Sequence, residues 1–236
     1  MRASDRAYTA LREEIVSGLL PPGALLGEVE QSGRLGISRT PLREALARLV
    51  ADGLAEPAPG RGLVVTAVSL EEAEPLFDLR IALESLAARR AAEQVHSTAD
   101  GPDLRHRFLA LATRFEAARE PLAAGADPTD YYALTGELDA AVDEACGNTY
   151  LAESLRGLRL HLGRVRRLAR NSPARLADSA REHADIARSV ASGDPELAAA
   201  GTIVHLRHAL AHLLGAASPT TAPTASPTFI RQEASP

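Results

Sequence analysis

Residues 35–46 read LGISRTPLREAL, and this stretch decides how the N-terminal part of the chain is interpreted. Gly36 is typical of a helix C-terminus, where glycine adopts the left-handed conformation without steric cost. Pro41 is tolerated in the first turn of the following helix, because the N–H that proline lacks has no partner there. Leu42 and Leu46 lie four residues apart, so they share one face of that helix and begin its buried stripe. The stretch therefore predicts two helices joined by a tight turn.

The sequence on both sides of this turn supplies the rest of a small domain. Apolar residues at helical spacing predict helices over residues 4–18 and 28–35, and a longer third helix follows the turn. Two short apolar runs, 54–56 and 63–68, flank a tip of glycine and proline and predict a β-hairpin. Three helices followed by such a wing constitute a winged helix-turn-helix, which we place at residues 1–68.

The remaining sequence has helical periodicity throughout. Glycine, proline, serine, asparagine and aspartate interrupt it at five places, which are residues 100–102, 125–128, 147–148, 172–173 and 193–195. These breaks divide residues 70–215 into six helices, so we expect an antiparallel all-helical bundle at 69–215. Residues 216–236 are rich in Ser, Thr, Ala and Pro, which predicts a disordered tail. The fold class is therefore mainly α.

The composition excludes several classes of protein. A chain of 236 residues with 45% hydrophobic and 24% charged residues is long enough for two globular domains. It has no apolar run of the roughly 18 residues that a membrane span needs, and its charged N-terminus does not resemble a signal peptide. A single cysteine, Cys146, cannot form an intramolecular disulfide, which favours a reducing cytoplasm.

The predicted third helix carries the residue types that read DNA. Its first residues are expected to reach base edges in the major groove. Arg39 and Arg43 lie four residues apart on one exposed face, and arginine grips guanine with two hydrogen bonds. Ser38 and Thr40 stand at the helix start, where hydroxyl and backbone N–H groups suit phosphate oxygens. The alternative is that the two arginines only solvate an exposed helix face.

The predicted wing supplies a second contact. Arg61 lies between Gly60 and Gly62, and two glycines let the backbone of the tip come close to a partner. We therefore expect Gly60, Arg61 and Gly62 to approach the DNA backbone or the minor groove. The net charge of the whole chain is −5, so it is not a generic binder of polyanions, and its DNA contacts must be local.

These segments resemble the GntR family of bacterial regulators. The likeness is carried by residues 20–23, by residues 35–46, by Asp52-Gly53-Leu54 and by Gly60-Arg61-Gly62. The resemblance implies that Arg39 and Arg43 read guanines and that Gly60 approaches the duplex. Val29 stands where the family often carries another arginine, so one contact of the family is absent here.

The continuation, from residue 69 to about residue 214, resembles the FCD sensor domain of the FadR subfamily. The segments that carry this likeness are residues 76–80 with Leu83-Glu84, residues 145–148, residues 181–183, Gly193-Asp194 and His205-Leu206. The resemblance implies a homodimer paired through its bundle domains. It also implies that a small organic acid binds in the middle of the bundle, in many members beside a divalent metal.

The usual metal set of such domains is an Asp and a His four apart on one helix, with a His on each of two later helices. His183 and His205 occupy the two later positions. Asp139 stands at the first His position and Thr135 at the Asp position. Asp139, His183 and His205 could still hold Zn²⁺, Ni²⁺ or Mn²⁺, with water or an effector carboxylate completing the coordination. The alternative is a metal-free polar pocket in which these side chains hydrogen-bond one another.

Arginines are the expected anchors of the effector. Arg80 lies on a largely apolar helix, so its charge needs a partner, either a ligand carboxylate or Glu84 one turn away. Arg159 and Arg166 are further candidates for the same pocket. Three other histidines are interpreted as surface or core residues, namely His161, His208 and His212.

The sequence thus predicts a homodimeric regulator, most simply a repressor, that binds a short palindromic operator and responds to an organic acid. Two alternatives stay open. One is a metal-dependent hydrolase or lyase using Asp139, His183 and His205, although no HExxH motif or nucleophile–base pair accompanies them. The other is an architectural DNA-binding protein without an effector, which a net charge of −5 disfavours.

Overall fold

In the computed structural model, the residues described are 1–60, 62–67, 69–168 and 172–217. This part of the chain forms nine α-helices, one two-stranded sheet and a short 3₁₀ turn. The elements are α1 (Ala3–Ser17), α2 (Glu28–Leu35), α3 (Arg39–Ala51), β1 (Ala55–Ala58), β2 (Gly62–Val65), the 3₁₀ turn (Leu70–Glu72), α4 (Ala73–Ser97), α5 (Gly101–Ala123), α6 (Thr129–Ala145), α7 (Thr149–Leu168), α8 (Pro173–Ser192) and α9 (Pro195–Ala217). The predicted fold class, mainly α with an N-terminal winged helix-turn-helix and a C-terminal helical bundle, is confirmed.

The first three helices and the sheet enclose the N-terminal core. Leu11, Leu42, Leu49 and Leu54 are fully buried there, so the predicted apolar stripe of α3 faces inward. Burying each such side chain contributes about 1.5–3 kcal/mol relative to leaving it in water. The two strands pair antiparallel with Ala55 opposite Val65 at one end of the ladder.

The second strand is shorter than the predicted run, 63–68. It ends at Val65. The backbone N–H of Thr66 still donates to the carbonyl of Leu54, the residue opposite it, but the N–H of Leu54 donates to the carbonyl of Leu49 and returns no bond across the ladder. An isolated bridge between Leu25 and Val64 adds a third backbone segment to the wing. The sheet is therefore tied to the loop that precedes α2.

The turn between α2 and α3 is held by local hydrogen bonds. Gly36 has a φ of +63°, and the hydroxyl of Ser32 donates to the carbonyl of Ile37 over 2.6 Å. Gln31 is 2% exposed, and its side-chain oxygen accepts from Nε of Arg34 at 2.9 Å. A buried amide with such a partner is tolerated where an apolar residue would otherwise pack.

The bundle consists of the six predicted helices. Helix α5 packs along α8 and α4 packs along α9, around a core that includes the fully buried rings of Phe108 and Phe115. Gly101 begins α5 so close to the preceding helix that an added Cβ would lie 2.2 Å from the carbonyl oxygen of Val95. The predicted tail, 216–236, begins two residues too early, because α9 runs to Ala217; residues 218–236 lie outside the described part.

Helix α7 lies between the two parts of the molecule. Leu160 packs against the N-terminal core, whereas Leu162 and Val165 pack with α4 and α9. The guanidinium of Arg164 donates from Nη1 to Oγ1 of Thr66 at 2.8 Å and from Nη2 to the Thr66 carbonyl. One helix of the bundle therefore holds the end of the wing directly.

Candidate functional site

The start of α3 presents an exposed polar surface. Ser38 is the N-cap residue, but its side chain makes no cap hydrogen bond, and Arg39 and Thr40 are exposed in the first turn. Leu42 points the other way and is fully buried. The same helix thus anchors itself in the core and leaves its first turn open to a partner.

Most of the local arginine charge is already paired. Arg43 forms an ion pair with Glu28 of α2 at 2.9 Å, and the hydrogen bond from Arg43 lowers the pKa of that carboxyl. Arg34 pairs with Glu14, and Arg48 is 2.9 Å from a carboxylate of α1. Arg39, by contrast, forms no ion pair within the part of the chain that the structure describes, and its charge acts on Glu28 only from a distance. It is therefore the arginine of this stretch whose charge is available without breaking an internal contact.

The wing tip has the conformation that its glycines allow. Gly60 and Gly62 are exposed and have φ values of +70° and +84°, in the left-handed region that favours glycine. Arg61, which was predicted to contact DNA, lies outside the described residues. The backbone on either side of it is open to an approaching phosphate.

The bundle has a polar cavity of about 40 Å³ between α4, α6, α7, α8 and α9. The polar and charged side chains that line it are Arg80, Glu84, Thr135, Asp139, Arg159, His183, Thr202 and His205. The cavity therefore brings together two of the predicted effector residues and the whole predicted metal set. Arg166, the third predicted effector residue, lies in α7, and its side chain is outside the described part.

Arg80 is 3% exposed and lies on the wall of this cavity. Its Nε donates to Oε1 of Glu84 at 2.8 Å, so the ion pair that the sequence left as an alternative is present. Desolvation opposes the charge of Glu84, but the attraction of Arg80 outweighs it and lowers the pKa of Glu84 below its usual value. Nη1 of Arg80 is buried without a hydrogen-bond partner.

Arg159 reaches the same cavity from α7. Its Nη1 donates to Oδ2 of Asp143 at 2.5 Å, and its Nε lies 3.2 Å from Oδ2 of Asp139. The latter contact is an ion pair without the geometry of a hydrogen bond, so the Nε–H remains without an acceptor. Both arginines thus combine a paired charge with one unused, buried N–H.

The two predicted histidine ligands lie side by side, with ring centroids 4.3 Å apart. Nδ1 of His183 is 3.0 Å from the hydroxyl of Tyr131, and Nδ1 of His205 is 2.7 Å from Oε2 of Glu182. Burial lowers the pKa of His205, and hydrogen bonding to Glu182 offsets this only in part. The neutral imidazole is therefore favoured at pH 7.

The predicted metal set does not fit a metal ion in this arrangement. Among the described residues, no group of three His, Cys, Asp or Glu side chains is placed to hold one. The physical reason lies on α6: the carboxylate of Asp139 is held by Arg159, and the hydroxyl of Thr135 donates to the carbonyl of Tyr131. A guanidinium beside the one anionic ligand also repels a second cation.

Glu182 is a residue of this region that the sequence analysis did not single out. It is 8% exposed and is bonded by Arg175, His205 and His208. Burial opposes its charge, but the hydrogen bonds from His205, Arg175 and His208 outweigh burial and lower the pKa of Glu182 to about 2. The sequence could have pointed to Glu182, because it is an acid on the alanine-rich, buried face of α8 and a buried charge needs partners.

A second, more apolar cavity adjoins the first and shares Thr135 and His205 with it. Its apolar lining comes from Phe77, Leu162, Val165, Leu176, Ala209 and Leu213. Of the three histidines interpreted as surface or core residues, His208 is exposed, His212 lines this second cavity and His161 lies against Gly53.

Comparisons with known proteins agree with this architecture. Residues 3–65 match the family described as bacterial regulatory proteins, gntR family, and residues 75–208 match the FCD domain. A protein of Paenarthrobacter nicotinovorans named as a probable D-xylose utilization operon transcriptional repressor is 32% identical over 209 residues, which cover 89% of this chain and 84% of that protein. The HTH-type transcriptional repressor RspR of Escherichia coli is 38% identical over 92 residues, 39% of this chain and 40% of its own length. The solved structure of E. coli McbR/YncC has the same fold, with a TM-score of 0.73, 21% identity and coverage of 91% of this chain and 98% of that one.

Proposed function

The chain belongs to the GntR family of bacterial regulatory proteins and carries an FCD domain, and from this we propose that it is a homodimeric, ligand-responsive repressor of transcription. Its relatives are named as transcriptional repressors and regulators. We treat residues 1–68 as the DNA-binding unit and residues 69–215 as the sensor unit, in which a small molecule occupies the polar cavity. The observation that carries this proposal is that α7 contacts both units.

The operator contact is assigned to the first turn of α3 and to the wing. Arg39 is exposed and unpaired within the described chain, so it is the first candidate for a guanine. Arg43 must exchange its ion pair with Glu28 for a base contact. Ser38 and Thr40 are exposed beside them and suit phosphate oxygens. Gly60 and Gly62 suit the approach of the wing.

The test of DNA binding uses an operator selected from random double-stranded DNA with the full chain. Arg39→Ala should weaken binding to that operator by roughly 10–100-fold, the usual value of one bidentate base contact. Arg105→Ala removes one exposed arginine of α5 and serves as the control for net charge. Equal affinities of the two variants, measured by fluorescence anisotropy at one salt concentration, would remove Arg39 from the interface.

The dimer is assigned to the exposed sides of α4 and α9. These helices run antiparallel, since Phe77 packs beside Leu213 at one end and Arg89 pairs with Glu196 at the other. Their exposed large apolar side chains recur at intervals of seven residues, namely Leu79 and Leu86 on α4 and Leu197 and Val204 on α9. Side chains seven apart lie on one helix face, and an exposed apolar surface on a soluble domain is typical of an interaction site.

Light scattering during gel filtration tests this interface. Leu86→Glu/Val204→Glu should convert the dimer to a monomer, because two charges per subunit would be buried at the proposed contact. Leu109→Glu changes a leucine of similar exposure on α5 and should leave the dimer intact. A double variant that stays dimeric would place the interface elsewhere.

Helix α7 gives the two units a physical connection. Arg159 lines the cavity, the next residue packs into the N-terminal core, and Arg164 holds Thr66 at the end of the wing. A ligand that contacts Arg159 can therefore change the position of α7 and, with it, the wing. Such a ligand acts only if it binds one arrangement more tightly than the other.

One relative is named for a D-xylose utilization operon, and from it we carry over the role of repressor. Relief of repression by the ligand is the simplest response. The organic acid expected from the sequence stays a prediction. A reporter gene behind the selected operator, compared in cells with and without this chain, tests the direction of regulation.

A further inference from the structure

The polar cavity has no positive charge to spare. Arg80 is paired with Glu84 at 2.8 Å, and Arg159 is paired with Asp143 at 2.5 Å and with Asp139 at 3.2 Å. Two guanidinium groups thus face three carboxylates. A ligand carboxylate would add a further negative charge to this group, and in a buried cavity such repulsion is poorly screened.

The cavity does have donors that lack acceptors. Nη1 of Arg80 and Nε of Arg159 are buried and have no hydrogen-bond partner. Buried N–H groups of a guanidinium are normally satisfied, because leaving one without an acceptor costs free energy. Arg80 is 3% exposed, so bulk water does not reach it freely. Both N–H groups have almost no accessible surface and the cavity is small, so a ligand that places oxygens against them must widen it.

Acceptors line the same cavity. Glu84 and Asp139 present carboxylate oxygens, which only accept hydrogen bonds at neutral pH. The hydroxyls of Thr135 and Thr202 already donate to backbone carbonyls, so their oxygens are left to accept. A hydroxyl can both accept from a guanidinium and donate to these oxygens, whereas a carboxylate can only accept.

We propose that the ligand of this cavity is a neutral polyhydroxylated molecule, a monosaccharide or a short polyol, bound without a metal ion. The inference rests on the proposed function, in which this cavity is the effector site of the regulator. The hydroxyls of the ligand accept from Arg80 and Arg159 and donate to Glu84 and Asp139. Two positions on α6 agree with a metal-free site. Thr135 and Asp139 stand where the usual metal set has Asp and His, and Arg159 forms an ion pair with Asp139.

The test compares neutral sugars with acids of the same carbon skeleton. Tag-free full chain, treated with a chelator, is titrated by calorimetry with common aldopentoses, aldohexoses and their alditols, and with the matching aldonates, such as D-xylose against D-xylonate. At least one neutral compound should bind to the protein in the presence of the chelator. The matching aldonate should bind at least tenfold more weakly. Citrate, Zn²⁺, Ni²⁺ and Mn²⁺ are titrated in parallel.

Three results would overturn the inference. The first is that an aldonate or citrate binds more tightly than every neutral compound. The second is that sugars bind only after a divalent metal is added. The third is that no sugar or polyol binds. Operator binding is measured in the same preparation. Retained operator binding in these cases would leave the proposed regulator function standing and remove only the ligand class.

A conservative variant sharpens the result. Asp139→Asn keeps the shape of the side chain and removes one negative charge, so it should weaken the neutral sugar by roughly tenfold and narrow the gap to the aldonate. Glu144→Gln removes a charge from an exposed residue of the same helix and should change neither affinity. Circular dichroism checks that both variants fold. Unchanged sugar binding by folded Asp139→Asn would contradict the assigned contact.

Discussion

Replacing Arg164 by Met should loosen the connection between the wing and the bundle. Arg164 is 5% exposed and donates to both the hydroxyl and the carbonyl of Thr66. The hydroxyl of Thr66 in turn donates to the carbonyl of Gly53 over 2.8 Å. Met has a similar length and apolar character, so Arg164→Met removes the hydrogen bonds while leaving most of the packing.

The size of the effect follows from two opposing contributions. Hydrogen bonds from a charged donor contribute about 1.5–3 kcal/mol each to stability. Against this, desolvation of the buried guanidinium disfavours its charge and lowers the pKa of Arg164, although the attraction of Glu72 offsets part of that cost. Because Thr66 is half-buried, water can replace part of the lost bonding. We therefore expect the local opening free energy to fall by about 1–3 kcal/mol.

Hydrogen exchange measures this opening directly. Each 1.4 kcal/mol corresponds to tenfold faster exchange, so the amides of Leu54 and Thr66 should exchange roughly 5–150 times faster. The amides of the buried α5 core around Phe108 should not change. Arg156→Met alters an exposed arginine on the same helix and serves as the control. Equal exchange at Thr66 in the two variants, or faster exchange throughout the bundle, would refute a role for Arg164 in holding the wing.

Three further predictions follow from named contacts. Arg43→Ala should weaken operator binding by roughly 10–100-fold. Glu28→Gln releases Arg43 from its 2.9 Å ion pair and should strengthen operator binding. Weaker binding by Glu28→Gln in anisotropy titrations would contradict the proposed exchange of partners. Thr135→Asp/Asp139→His restores the usual metal set, so the tag-free variant should carry about one divalent ion per chain by mass spectrometry; an equal metal content in the unmodified chain would contradict the metal-free cavity. Phe115→Ala removes a fully buried ring and should cost about 3–5 kcal/mol of unfolding free energy in urea, and a loss below about 1 kcal/mol would mean that the ring is not part of the core.

The N-terminal fold could be predicted from the sequence because its signals are local. Gly36 ends a helix, Pro41 suits the first turn of the next one, and Leu42 with Leu46 marks the buried face; each is a property of a few neighbouring residues. The five breaks of the bundle are equally local, and the structure confirms six helices there. The end of the second strand was missed, because the N–H of Leu54, the residue opposite Thr66, donates to Leu49 of α3 and not across the ladder.

The residues of the cavity were largely predictable, but their pairing was not. The positions of Asp139, His183 and His205 followed from the resemblance, and Arg80 was predicted from its apolar helix. The structure brings all four to one cavity. Their chemistry depends on partners that the sequence does not place beside them. Arg159 holds Asp139 from another helix, and this contact removes the expected ligand from a metal site.

What the sequence by itself determined is the order and type of the elements and the exposed arginines at the start of α3. What only the tertiary structure decided is which side chains and helices contact one another, and therefore which charges are paired. Glu28 neutralises Arg43 from a separate helix, Glu182 is held ionised by three side chains, and α7 touches both the cavity and Thr66. The physical reason is that electrostatic and hydrogen-bond energies depend on distances between residues far apart in the chain, which local patterns do not encode.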